Sequence, residues 1–124
     1  LEGENGFRER ESEALNQVIN NYDDYVLSLG GGCVIRAENR HVIARNNNLV
    51  IQLIADLDVI VERLARSPNK RPLLANQDLK KKVEELYNTR RELYEMVSDV
   101  TINTTKLRPH QVISIVESHL DPSN

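Results

Sequence analysis

At 124 residues, with a formal net charge of −3 and one cysteine, the chain has room for one domain and one core. It offers no basic stripe for nucleic acid and no internal disulfide, which suits a reducing compartment. No apolar run reaches the roughly 20 residues of a membrane span and no signal peptide is visible, so the expectation is a cytoplasmic protein without membrane or nucleic-acid partners.

The chain starts Leu1-Glu2-Gly3-Glu4, without Met or an opening strand, and reads as a cut end. Residues 4–22 carry a helical period, with Phe7, Leu15, Val18, Ile19 and Tyr22 on one stripe and charge on the other face. Asp23-Asp24 is a turn. Residues 25–29 form a short apolar run that predicts a buried strand, ended by Gly30-Gly31-Gly32. Each glycine costs roughly 0.5–1 kcal/mol against alanine in regular structure, so three together predict a place where backbone comes close to another group. Such a loop offers bare N–H groups to an oxygen-rich ligand; the plainer alternative is a loose turn.

A short helix over residues 36–45 ends at Asn46-Asn47-Asn48, a turn-forming run, and residues 49–53 predict a second strand. Asp56 is a candidate N-cap for a helix over 56–66. Pro68 and Pro72 then break the pattern, and a loop runs to Asn76. A long helix over 77–97 follows, with Val83, Leu86, Tyr87, Leu93 and Val97 inward. Residues 100–104 predict a third strand, and Pro109 opens a last helix with Val112, Ile113, Val116 and Leu120 inward. Strands separated by helices predict an α/β fold with a parallel sheet. Three strands are few for a sheet buried on both faces, so the pattern reads as the later part of a larger domain.

Few side chains point to chemistry by themselves. His41, His110 and His119 lack ligand spacing, Cys33 has no activating partner, Lys80-Lys81-Lys82 reads as a wet helix face, and no metal signature is present. The arginines say more. Arg8 follows Phe7 and emerges beside the apolar stripe, with Glu11 at i+3 to brace it. Arg90 lies four residues after Leu86, near the inner side of its helix. An arginine so placed needs an anion, and its fork matches a carboxylate; two structural salt bridges are the alternative. Arg66 and Arg71 flank the proline-broken loop, either as parts of a lid or as a solvated turn.

Glu4-x-x-Phe7-Arg8-x-x-Glu11, Gly30-Gly31-Gly32, Arg71-Pro72-Leu73-Leu74 and Arg90-x-x-Leu93-Tyr94, in this order, resemble shikimate kinase across nearly the whole chain. The resemblance implies a P-loop kinase fold and transfer of phosphate from MgATP to the 3-hydroxyl of shikimate. It implies that Arg8 and Arg90 clamp the shikimate carboxylate, with Glu11 beside Arg8, and that the loop Gly30, Gly31 and Gly32 contacts the ring. It further implies that Arg71, in a lid at about residues 66–76, reaches the transferred phosphates, and that Arg66 and Pro109 sandwich adenine. A monomeric enzyme is the expected form.

Two parts of the family pattern are not found in these 124 residues: the Gly-x-x-x-x-Gly-Lys-Ser/Thr phosphate loop and the Asp-x-Asp that serves magnesium. In the family both lie upstream of the position that matches Leu1, on the first two strands and helix. The expectation is therefore one partial kinase domain spanning residues 1–124, with the first two strands and the magnesium ligands missing and with no activity of its own. A gluconate kinase, or a binding domain for a shikimate-like ligand without catalysis, are the other readings.

Overall fold

The computed structural model describes residues 3–45, 47–66 and 76–120. Helix α1 (Gly3–Asn21) is followed by a stretch without regular structure, a single 3₁₀ turn (Cys33–Ile35) and α2 (Ala37–Arg45). Strand β1 (Ile51–Ile54), α3 (Leu57–Ala65), α4 (Asn76–Val97), β2 (Val100–Asn103) and α5 (Pro109–Leu120) complete the order. β1 and β2 pair in parallel, Ile51 opposite Val100 through Ile54 opposite Asn103. The predicted α/β class, a parallel sheet flanked by helices, is what the chain forms.

The sheet has two strands among the described residues, where three were expected. Residues 25–29 match the apolar pattern of a strand but join no ladder, and Val26 is 95% exposed. A strand exists only with a hydrogen-bonding neighbour, and neither β1 nor β2 supplies one. The second strand also begins two residues later than expected. Val50 is instead tied at the sheet's entrance, its N–H donating to the Asp99 carboxylate at 2.8 Å and its carbonyl accepting the Asp99 N–H at 2.8 Å.

The core gathers Leu15 and Ile19 of α1, Cys33 and Val34 of the 3₁₀ turn, and Val42 and Ile43 of α2, with Leu93, Tyr94 and Val97 of α4 packed against them. Several expected core residues lie outside it: Phe7, Tyr22, Leu86, Tyr87, Ile113 and Leu120 are exposed. Three polar residues among those described take buried places that a hydrophobic pattern does not count: Ser12 on α1, the fully enclosed Asn39 on α2, and Thr104 just after β2. Asp56 stands at the N-cap of α3 as expected, but its side chain makes no capping bond; its N–H donates to Thr105 Oγ1 at 2.8 Å. His41, His110 and His119 lie on the surface, and Lys80 pairs with Asp58 at 2.9 Å.

Cys33 is a packed core residue, 1% exposed. Burial, aided by Glu11 and opposed by Arg8, raises its thiol above the ordinary 9.0. The unfolded chain therefore releases this proton first as the pH rises, so the fold loses stability above pH 9.0 and is untouched by this group below it. Iodoacetamide at pH 8 should modify the native protein only as fast as the core opens, and the urea-unfolded chain as fast as free cysteine. Equal rates in both states would refute the burial.

Candidate substrate-binding site

The site is built where α1, the glycine loop and α4 meet. On α1, Arg8 and Glu11 lie one turn apart, and Arg8 Nη1 donates to Glu11 Oε1 at 2.8 Å. Both side chains are about six-sevenths covered, at 15% and 14% exposure. Arg8 also lies over the Phe7 ring, 5.2 Å from its centroid, while its contact with Glu4 is longer, 3.9 Å, and at the solvent edge. The Nε of Arg8 is buried with no partner among the described residues. A guanidinium has five N–H donors, and the short bond to Glu11 takes one of them, so the group retains capacity for a second anion.

The glycines make room for that pair. A Cβ on Gly32 would lie 2.2 Å from Arg8 Nη2, and one on Gly30 would lie 2.9 Å from Glu11 Oε2. Gly31 faces α4 instead, where a Cβ would meet Tyr94 Oη at 3.4 Å and Arg90 Nη1 at 3.5 Å. Arg90 and Tyr94, one helical turn apart, thus share one face of α4 toward the loop. Among the described residues Arg90 has no ion pair or hydrogen bond.

The loop is fixed through its carbonyls. Gly30 C=O accepts the Cys33 N–H at 3.0 Å, Gly31 C=O accepts the Tyr94 hydroxyl at 2.8 Å and Gly32 C=O accepts the Ile35 N–H at 3.1 Å. Cys33 C=O accepts Asn39 Nδ2 at 2.8 Å. No acceptor among the described residues takes the N–H groups of Gly30, Gly31 or Gly32. Satisfied carbonyls beside open amides and two arginines make a locally electropositive seat with no side chains in its floor. The loose-turn alternative does not fit four anchored carbonyls. A cavity of about 560 Å³ borders the loop at Gly30, Gly31 and Tyr94, with Leu29, Val34, Leu53 and Val83 in its walls; Arg8, Glu11, Gly32 and Arg90 do not line it.

The family model described as "Shikimate kinase" matches residues 1–121. The chain belongs to the shikimate kinase family. It is 38% identical over 120 residues to a shikimate kinase of Actinobacillus pleuropneumoniae, covering 97% of this chain and 65% of that relative. It is likewise 38% identical over 122 residues to shikimate kinase 2 of Escherichia fergusonii, again spanning 65% of the relative. The crystal structure of the Bacteroides thetaiotaomicron shikimate kinase superposes with a TM-score of 0.83 at 25% identity, over 95% of this chain and 68% of that one. A shikimate kinase from Acinetobacter baumannii, solved in complex with shikimate, gives 0.75 at 30% identity, over 95% and 66%.

Of the positions carried over from shikimate kinase, Arg8, Glu11, Gly30, Gly31, Gly32 and Arg90 are brought together. Arg66 and Pro109 are not joined to them. Arg66, at the C-cap of α3, is exposed and ion-paired with Glu62, and Pro109 is exposed at the start of α5. Arg71 lies outside the described residues, as does most of the expected lid. Among the described residues no group of His, Cys, Asp and Glu is placed to hold a metal ion, and no helix is long and apolar enough to cross a membrane. Tyr94 and Asn39 hold the loop yet carried no role in the sequence reading. The available signal for Tyr94 was its i+4 spacing from Arg90.

Proposed function

We propose that this chain carries the shikimate-binding part of a shikimate kinase, which passes the γ-phosphoryl group of ATP to the 3-hydroxyl of shikimate. The observation that carries the reading is the braced Arg8 and an Arg90 unpaired among the described residues, set against adjacent glycines whose N–H groups are likewise open among those residues. A carboxylate held by two guanidinium groups fixes one end of the ring, and the bare loop lets the ring approach the backbone. Phosphoryl transfer needs positioning and charge stabilisation more than covalent help, so a rigid seat for the acceptor hydroxyl is a direct catalytic contribution.

In this reading Arg71 belongs to a lid over about residues 66–76 and stabilises charge on the transferred phosphoryl group. Arg66 and Pro109 flank adenine, and both are exposed enough to receive a flat ring. Magnesium accompanies ATP, but the described residues supply no cluster for it and no step is assigned to them through the metal. The working form is a cytoplasmic monomer with one kinase domain, which its single buried cysteine suits.

A second reading, a binding domain without catalysis, draws on the lack of a Gly-x-x-x-x-Gly-Lys-Ser/Thr loop in these 124 residues. Calorimetric titration and coupled ADP release separate the two. The 124 residues should bind shikimate, with gluconate roughly tenfold weaker or worse, about 1.4 kcal/mol, and should release no ADP by themselves. Joined behind the unmatched part of the Actinobacillus relative, they should release ADP only when shikimate is present. Binding with a silent chimera would favour the second reading, and a preference for gluconate would move the substrate to the gluconate kinases.

A further inference from the structure

The hydroxyl of Tyr94 donates to the carbonyl of Gly31 at 2.8 Å, joining α4 to the middle of the glycine loop. The Gly31 carbonyl and the Gly32 N–H belong to one peptide plane, and no cis bond is present among the described residues. In a trans peptide these two groups point in opposite directions. Anchoring the carbonyl to α4 therefore turns the Gly32 N–H away from Tyr94. Of the loop glycines, Gly32 is the one against which the Arg8 guanidinium lies.

The neighbouring anchors do not fix this plane. The Gly30 and Gly32 carbonyls are held by the 3₁₀ turn's own N–H groups, which follow wherever the turn goes. Asn39 holds the next carbonyl, of Cys33, from α2. Among the described residues only Tyr94 hydrogen-bonds to the Gly31–Gly32 peptide from outside the loop. It does so from the face that carries Arg90, so one turn of α4 presents a guanidinium to one side of the loop and turns the Gly32 amide toward the other.

We infer that Tyr94 is a positioning residue for the site: its hydroxyl holds the Gly31–Gly32 peptide in the orientation that presents the Gly32 N–H to a bound carboxylate-bearing ring. This rests on the proposed reading of the seat as a shikimate site. The side chain is not catalytic, because it acts through the loop. Phenylalanine removes only the hydroxyl and keeps the ring packed on the core, so a folded variant is expected.

Two readouts on the native chain and on Tyr94→Phe test it. The first is the carbonyl ¹³C resonance of Gly31 without ligand, which should move upfield when the hydroxyl is lost. The second is the dissociation constant for shikimate, which should rise roughly 3- to 10-fold, the range expected for one hydrogen bond. Arg8→Ala serves as the control for the seat itself. If the native chain binds, Arg8→Ala does not, and Tyr94→Phe binds like the native chain, the inference is overturned while the seat stands. If the native chain fails to bind shikimate, the reading of the seat falls. An unmoved Gly31 resonance would then overturn the loop-holding role as well, and a moved one would uphold it.

Discussion

Gly32→Ala should empty the seat of its arginine. Any Cβ at this position falls 2.2 Å from Arg8 Nη2 and 2.5 Å from both Cζ and Nη1, far inside contact distance. The backbone itself raises no objection, since Gly32 lies at φ −91° and ψ 0°, which alanine adopts freely. The conflict is steric and concentrated on the guanidinium. A shift of the guanidinium large enough to clear the Cβ is expected to break its 2.8 Å bond to Glu11 and leave that carboxylate covered without its cation. Breaking one side of a covered pair costs about 3–5 kcal/mol when burial is complete, and about 2–3 kcal/mol is expected at 15% exposure. Shikimate binding should fall by about 100-fold or more, close to the effect of Arg8→Ala.

The three glycines should not behave alike. Alanine at Gly30 meets a carboxylate oxygen at 2.9 Å, which a small rotation of Glu11 relieves. Alanine at Gly31 meets Tyr94 and Arg90 at 3.4 and 3.5 Å, ordinary contact. The expected order of damage is Gly32, then Gly30, then Gly31, in urea unfolding and shikimate titration alike. Equal losses at all three would mean that the glycines serve chain flexibility, and the close approach to Arg8 would lose its meaning.

That order was beyond the reach of the sequence, although the site's members were not. Spacing alone put Glu11 one turn from Arg8 and put Arg90 near the inner side of its helix, four residues after Leu86, because a 3.6-residue period is a local property. Pro109 marked the start of α5 for the same kind of reason, its φ and missing N–H being suited to a first turn. The failures are all non-local. Residues 25–29 have the composition of a strand, but pairing depends on a neighbour that the stretch itself does not specify. Phe7 reads as core by hydrophobicity and instead lies exposed beneath a guanidinium. Asn39 belongs to no apolar stripe and is nevertheless fully enclosed, its amide donating to the Cys33 carbonyl. Three consecutive glycines announced a close approach, and only the fold shows that the closest group is the chain's own arginine.

Neutralising Glu11 is the change expected to separate folding from ligand capture. Glu11→Gln keeps the size of the side chain and leaves an oxygen to accept from Arg8, but removes the charge that balances a guanidinium with 15% exposure. The variant keeps a hydrogen bond to a charged group and loses only the ion-pair attraction, which lies between the small worth of an exposed pair and the large cost of breaking a buried one, so the unliganded variant should lose about 1–2 kcal/mol in urea unfolding. The uncompensated arginine then attracts an incoming carboxylate more strongly than in the native chain. Saturating shikimate should therefore recover stability in Glu11→Gln by a larger increment than it adds to the native protein, since only the folded state binds. The two effects have opposite signs and come from one charge. A variant that is less stable and also gains less from shikimate would show that Glu11 orients Arg8 more than it neutralises it, and an unchanged stability would show that the pair adds nothing to the fold.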